Sequence, residues 1–195
     1  MPEYGVLNAF RDLFLGKPYI HRISTHGDWV SSFLYEDLLE LHRSPKYSSG
    51  VSERRVVLNS GNKVSGKKGR RGDGTFGELV PHSEVALVDG FAIPRGNVAN
   101  LQIGCESKFL ATKMTAQIDR VITDLRNQST VFQRTSPNCL TVAIVAINHA
   151  DSWLGREGDR VYPAKTPPSR ESHDIAQRIA DHVAPHYSET IILRY

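Results

Sequence analysis

The sequence predicts an α/β fold, or α+β in looser usage, in which a mixed central β-sheet is flanked by helices. The strongest observation is the run Leu140–Ile147, which is almost continuously apolar and β-branched and is typical of a central strand covered on both faces. Several extended segments precede an amphipathic helix that leads into this strand. A further helix and a terminal strand follow it, so a mixed sheet with helices on its faces is expected.

Helices are predicted where apolar residues recur every three to four positions, and strands where short apolar or alternating runs lie between turn residues. Asp28 is a candidate cap for the first well-defined helix, and the pair Ser44-Pro45 ends it. The predicted helices cover residues 7–15, 28–43, 111–127 and about 169–183. The predicted strands cover residues 54–59, 77–80, 85–93, 100–105, 140–147 and 190–193.

Length and composition indicate one domain. The chain has 195 residues, of which 39% are hydrophobic and 23% charged, enough to close a single core and too apolar for a disordered chain. We expect an N-terminal arm or short helix over residues 1–27 and one domain over residues 28–195. No apolar run approaches the length of a membrane span, and the first residues do not resemble a signal peptide.

Charge and cysteine content indicate which partners and which cellular compartment to expect. Lys and Arg number 24 against 21 Asp and Glu, a formal charge of +3, which permits nucleic acid as a partner without requiring it. The two cysteines, Cys105 and Cys139, do not form a disulfide framework, so a reducing, cytoplasmic location is expected.

Residues 60–75 form the most polar segment of the chain and are predicted to be a flexible basic loop. Glycines alternate there with cations that could lie along a phosphate backbone, and a solvated surface loop is the alternative interpretation. The cations are Lys63, Lys67, Lys68, Arg70 and Arg71.

Three residues at the ends of predicted strands could perform chemistry. Asp89 ends the apolar run VALV, Glu106 ends NLQIGC, and Lys108 lies two residues further, on the same face of an extended chain as Glu106. If the two strands pair, Asp89 and Glu106 meet, and two close carboxylates require a cation between them. Mg²⁺ or Mn²⁺ suits such oxygen ligands, and a metal, a water and an ammonium together favour phosphodiester hydrolysis.

These residues, followed by a helix and an apolar strand, resemble the PD-(D/E)xK nuclease superfamily, which has the restriction-endonuclease-like fold. The resemblance covers residues 28–195 and depends on element order and on Asp89, Glu106 and Lys108. Val88 stands where the superfamily often has Pro.

The resemblance implies a metal-dependent DNA endonuclease, such as a type II restriction enzyme or a defence nuclease. It implies that Asp89, Glu106 and the Ser107 backbone carbonyl bind Mg²⁺ or Mn²⁺ and that Lys108 positions the attacking water. Some members add an acidic ligand, for which Glu78 is preferred here over Glu36, Glu40 and Glu84. Duplex DNA as substrate and a homodimer are further implications.

Two alternatives to a metal-dependent enzyme follow from the same residues. The chain can be a non-catalytic module of this fold that binds nucleic acid or protein, with its acidic residues inert. Cys105 can be read as a nucleophile, although a cysteine that ends an apolar strand is usually packed in the core. A nucleotide-binding P-loop is excluded because Gly66-Lys67-Lys68-Gly69 does not lead into a helix.

Overall fold

The computed structural model describes residues 4–14, 25–60, 63–64, 67–68, 72–111, 113–154, 161–163 and 167–195. The helices are α1 (Gly5–Phe14), α2 (Thr25–Glu40), α3 (Pro45–Ser52), α4 (Met114–Thr135) and α5 (Pro168–His182), with a short 3₁₀ helix at Ala184–His186. The strands are β1 (Val56–Asn59), β2 (Lys63–Val64), β3 (Lys67–Lys68), β4 (Gly74–Leu79), β5 (Arg95–Gly96), β6 (Val98–Leu110), β7 (Leu140–Ile147), β8 (Ser152–Leu154), β9 (Val161–Pro163) and β10 (Glu189–Arg194).

Six of these strands form a mixed sheet in the order β10-β7-β6-β4-β1-β5. Strand β4 is antiparallel to both β1 and β6, whereas β6, β7 and β10 run parallel to one another. Helix α4 provides the crossover from β6 to β7, and α5 precedes β10, as parallel neighbours require. The predicted α/β class, a mixed sheet flanked by helices, is confirmed.

The two faces of the sheet bury separate apolar clusters. Ile103, Cys105 and Phe109 of β6 pack with α1 and α2, whereas Leu110 packs with α4 and α5. Because successive side chains of a strand point to opposite faces, Glu106 and Lys108 project with Leu110 toward the α4 side.

The predicted strand over residues 85–93 is wrong. This segment is a loop with one isolated bridge, between Ala86 and Arg95, and Leu87 is 61% exposed. The Glu36 carboxylate accepts hydrogen bonds from the backbone N–H groups of Ala92 (3.1 Å) and Ile93 (2.8 Å). These bonds hold the segment against α2 and satisfy the N–H groups of Ala92 and Ile93 without a sheet partner.

Other elements differ from prediction in their ends. Helix α4 runs two turns further than residue 127 because Gln128, Ser129 and Phe132 are buried. Strand β4 begins at Gly74, inside the segment predicted to be a basic loop, and part of that loop pairs as the β2–β3 hairpin. Among the described residues, no helix combines the length and the apolar character needed to span a membrane.

Candidate active site

Asp89 does not lie beside Glu106. It occupies an exposed turn in the loop that leads to β5, and β5 stands three strands away from β6 in the sheet. With a strand spacing of about 4.8 Å, β5 and β6 are roughly 14 Å apart. The predicted pairing of the Asp89 segment with β6 is therefore corrected, because β4 occupies that position.

Glu106 and Lys108 do come together. The Lys108 ammonium lies 2.6 Å from the Glu106 Oε1 atom, on the side of the sheet covered by α4. The Glu106 side chain is only 8% exposed and that of Lys108 is 23% exposed. A buried carboxylate is strongly destabilising without a compensating cation, and the Lys108 ammonium supplies that cation for Glu106.

The acid that lies level with Glu106 is Asp73, and not Asp89 as was predicted. Gly74 is paired with Cys105 at the start of β4, so the preceding residue, Asp73, stands level with Glu106. Among the described residues, β6 continues from Glu106 to Leu110 in a ladder with β7 but without β4. The two antiparallel strands thus separate at Asp73, which is level with Glu106 in the register, although the Asp73 carboxylate lies toward α2 and the Glu106 side chain toward α4.

Ser107 holds the Asp73 carboxylate at this open edge of β6. The Asp73 Oδ2 atom accepts hydrogen bonds from the Ser107 backbone N–H (2.7 Å) and from the Ser107 hydroxyl (2.6 Å). The Ser107 side chain projects to the same side of the sheet as Cys105 and Phe109, so the Asp73 carboxylate lies toward the α2 side. Because the N–H and C=O of one strand residue point to the same edge, the Ser107 carbonyl faces this edge as well.

Helix α2 covers the other side of Asp73. A Cβ atom placed on Gly27, in the first turn of α2, would lie 2.4 Å from the Asp73 Cγ, so the carboxylate lies directly against the helix N-terminus. The partial positive charge of a helix N-terminus stabilises an anion there. The Ser31 hydroxyl also donates a hydrogen bond to the Asp73 carbonyl (3.0 Å), which fixes the backbone of this residue.

A polar cleft of about 210 Å³ opens beside Asp73. Its lining combines acids, neutral hydrogen-bonding groups and one guanidinium, so it can receive a polar or charged ligand. The lining residues are Asp28, Leu58, Asn59, Ser60, Asp73 and Arg95.

The thiol of Cys105 lies in the same region but is poorly suited to be a nucleophile. Burial raises the pKa of Cys105, and the nearby Asp73 and Glu106 carboxylates raise it further. A thiol with a raised pKa stays protonated, whereas the thiolate is the reactive form. The same two carboxylates contribute to the raised pKa of Tyr187, after the larger effect of burial.

Of the predicted additional residues, Glu78 lies on β4 on an exposed surface, where it accepts a hydrogen bond from the Asn100 amide (2.7 Å). Lys63, Lys67 and Lys68 belong to the β2–β3 hairpin, and the backbone of β2 approaches β6 within 8 Å between Cα atoms. Arg70 and Arg71 lie outside the described residues.

The sequence reasoning missed Asp73. Its signal was present, because Asp73 is followed by Gly74 and by the run TFGELV, as Asp89 is followed by Gly90. Only the assignment of residues 60–75 to a loop removed it from consideration.

Neither family models, curated proteins nor solved structures matched this chain in comparison. Within the described residues, no group of three or more His, Cys, Asp or Glu side chains is arranged to hold a metal ion. Function is therefore inferred from the arrangement of Asp73, Glu106, Ser107 and Lys108.

Proposed function

We propose that this protein is a metal-dependent nuclease whose site consists of Asp73, Glu106 and Lys108. The observation that carries the proposal is the Asp73 carboxylate bound to Ser107 where β4 and β6 separate, level with the Glu106–Lys108 pair. Two carboxylates and an ammonium, carried by residues close to the point where β4 and β6 separate, are the groups that the sequence predicted for phosphodiester hydrolysis. Asp73 replaces Asp89 as the first acid.

The topology supports the same proposal. The antiparallel order β1-β4-β6, the crossover helix α4 and the parallel strand β7 form the element order that the resemblance to the PD-(D/E)xK superfamily implies. In this interpretation Asp73 precedes the middle strand of the meander, and Glu106 and Lys108 lie on the third strand. Glu106 and Lys108 thus keep the strand position that was expected, whereas the first acid precedes its strand instead of ending it.

The residues present fit a divalent metal ion. Mg²⁺ is commonly bound by one or two carboxylates together with substrate phosphates, so a site with two protein carboxylates suits it. Asp73, Glu106 and the Ser107 carbonyl supply hard oxygen ligands and would hold Mg²⁺ or Mn²⁺. The ion would supply Lewis acidity toward a phosphate oxygen and would lower the pKa of a bound water.

The chain's own groups have distinct roles in this proposal. Lys108 neutralises negative charge that develops on the phosphate, and its ammonium orients the attacking water. Ser107 positions Asp73 through two hydrogen bonds. The first turn of α2 lies against the Asp73 carboxylate, where the partial positive charge of a helix N-terminus is favourable to an anion.

The proposed substrate is DNA, in keeping with the Lys- and Arg-rich segment over residues 60–75. That segment would supply affinity for phosphates without sequence recognition. A homodimer and a cytoplasmic location, both expected from the sequence analysis, belong to the proposal as well. Sedimentation of the purified protein tests the dimer directly.

Cleavage assays with purified variants test the proposed site. Plasmid is incubated with Mg²⁺, Mn²⁺ or EDTA and with the variants Asp73→Asn, Glu106→Gln and Lys108→Met. We expect metal-dependent cleavage that falls by at least about 100-fold in each variant, because each removes a ligand or the positioned cation. Asp89→Asn is the matched control and should cleave as the unmodified protein does.

Binding measurements separate this proposal from the alternative of a non-catalytic module. Variants are first checked for an unchanged unfolding midpoint, since Lys108→Met leaves Glu106 buried without its cation. Cleavage that persists in Asp73→Asn, or that is lost in Asp89→Asn, would contradict the proposed site. DNA binding without cleavage in any metal would favour the binding module.

A further inference from the structure

The two edges of the six-stranded sheet differ in how they are protected. At one edge, β5 has only two residues, and a very short edge strand is a common protection against pairing with another chain. At the other edge, β10 has six residues and pairs with β7 over its whole length without a register shift. It contains neither a bulge nor a proline, the other usual protections. Strand β10 is therefore the edge that can accept a further strand.

Alternate backbone groups of β10 point away from β7. The N–H of Tyr195, directly after the strand, donates a hydrogen bond to the Ile147 carbonyl of β7 (3.0 Å). Because successive residues of a strand direct their N–H and C=O groups to opposite edges, those of Ile192 and Arg194 point outward. The N–H of Thr190 also points outward, and the carboxylate of the preceding residue accepts its hydrogen bond (3.2 Å). The outer edge of β10 thus presents donors and acceptors in the alternation that another strand requires.

The side chains in the middle of β10 are apolar on both faces of the sheet. Ile191 and Leu193 pack with the cluster under α1 and α2, whereas Ile192 packs with the cluster under α4 and α5. All three side chains stay partly exposed, and within the described part of the chain β10 has β7 as its single neighbour. A strand added at this edge would therefore extend both apolar clusters and remove more apolar surface from water.

The charges at the ends of β10 favour a second copy of the same strand in antiparallel orientation. Glu189 begins the strand, Arg194 ends it, and both are exposed. An antiparallel pair places the acidic end of one copy beside the basic end of the other, whereas a parallel pair would place like charges together. Such a pair uses both copies of this edge and leaves only the short β5 edges, so the assembly stops at a dimer.

We propose that two copies of this chain pair through β10 in an antiparallel two-fold dimer, with Ile192 opposite Ile192 of the second copy. A two-fold axis through an antiparallel pair places one residue opposite its own copy, and Ile192 is the central residue among those with outward backbone groups. Thr190 then pairs with Arg194 of the second copy on each side of the axis. The inference gives the homodimer of the proposed function its interface, and it depends on β10 and not on the nuclease site.

Cysteine cross-linking tests the register of this dimer. In a hydrogen-bonded antiparallel pair the two Cα atoms are about 5.5 Å apart, which is within the range of a disulfide. We therefore expect Ile192→Cys to form an intermolecular disulfide under mild oxidation. Arg194→Cys is the matched control, because it would lie about 15 Å from its own copy across the axis and should stay unlinked. The native cysteines, Cys105 and Cys139, are buried.

Sedimentation in EDTA and without DNA measures the dissociation constant of the dimer. Arg194→Pro removes an N–H that points away from β7, so the bonds within the domain are kept while two symmetric bonds between the copies are lost. We expect dimerisation to weaken about tenfold or more. Arg194→Ala keeps the N–H and should change the dissociation constant by less than about threefold, since exposed ion pairs contribute little. Urea unfolding checks that each variant is folded.

A monomer across the measured concentration range, or a dimer that Arg194→Pro leaves unchanged, would overturn the inference. A disulfide that forms as readily at residue 194 as at residue 192, or at neither, would overturn it too. The outcome is independent of catalysis because neither metal nor nucleic acid is present. A monomer that cleaves DNA would contradict this inference, whereas a β10 dimer without metal-dependent cleavage would contradict only the proposed nuclease activity.

Discussion

Gly27 controls how closely α2 approaches Asp73. In this first turn of the helix, the space for a side chain is filled by the Asp73 carboxyl group, whose Oδ1 and Oδ2 atoms would lie 2.6 and 2.7 Å from an added Cβ. Contacts this short force a shift of the carboxylate or of the helix. Because the carboxylate also accepts two hydrogen bonds from Ser107, a shift of the carboxylate would disturb those bonds.

We therefore expect Gly27→Ala to lower the free energy of unfolding by about 1–3 kcal/mol, the usual cost of overpacking. Helix propensity alone would raise the free energy of unfolding, by up to about 1 kcal/mol, because alanine favours a helix more than glycine does. A decrease therefore indicates overpacking against Asp73. Urea unfolding measures the change. In an Asp73→Ala background the clash is absent, and a substitution that remained destabilising there would show that contact with Asp73 is not the reason.

Tyr35 connects the elements that surround the site. This buried residue of α2 has its hydroxyl 3.0 Å from the carbonyl of Gly74 and 3.3 Å from that of Ile103, so it ties α2 to both β4 and β6. Its ring stacks on Phe76, and its own carbonyl accepts a hydrogen bond from Tyr47 (2.9 Å). Burial raises the pKa of Tyr35, so the hydroxyl keeps its proton and remains a donor.

Tyr35→Phe should lower the free energy of unfolding by about 1–2 kcal/mol, because two buried carbonyls lose a donor while the ring still fills its place. Urea denaturation measures this value, and Tyr4→Phe, at an exposed tyrosine (40%), is the matched control. A loss no larger than that of Tyr4→Phe would mean that the tie between α2 and the two strands contributes little to stability.

At the scale of the whole molecule, α1 is attached to the domain through one buried acid. The Asp37 carboxylate accepts hydrogen bonds from the backbone N–H groups of Gly5 (2.6 Å) and Val6 (2.9 Å), which have no partner within the first turn of α1. Burial raises the pKa of Asp37 above 3.8, an effect that these two bonds oppose and that Glu40 reinforces.

The pH dependence of stability follows from the upward shift of the Asp37 pKa. A carboxyl whose pKa is higher in the folded state favours folding most when protonated, so its contribution is complete below about pH 3.8 and is lost as the pH rises through the raised pKa. We expect the unfolding free energy of the unmodified protein, relative to Asp37→Asn, to decrease as the pH rises from about 4 to 7.

Urea titrations across this pH range measure the difference, with Asp174→Asn, at an exposed acid of α5, as the control. A relative stability that increased with pH would mean that the two N–H bonds outweigh burial at Asp37.

The sequence alone determined the elements whose signal is local. The apolar run of β7, the stripe of α4 and the pair Glu106 and Lys108 on one face of β6 each depend on residues close together in the chain. Helical and strand periodicities are set by such neighbours, so these predictions could be made without tertiary information.

Only the tertiary structure shows that Asp73, and not Asp89, lies level with Glu106. Both residues precede a glycine and both adjoin an apolar run, so the local sequence does not distinguish one from the other as a candidate site residue. The choice depends on which segment pairs with β6, and that pairing brings together residues 34 positions apart, as in the bond from Ser107 to Asp73. Pairing over that separation is set by burial of the whole sheet between two layers of helices, because a strand joins the sheet where both of its faces can be covered.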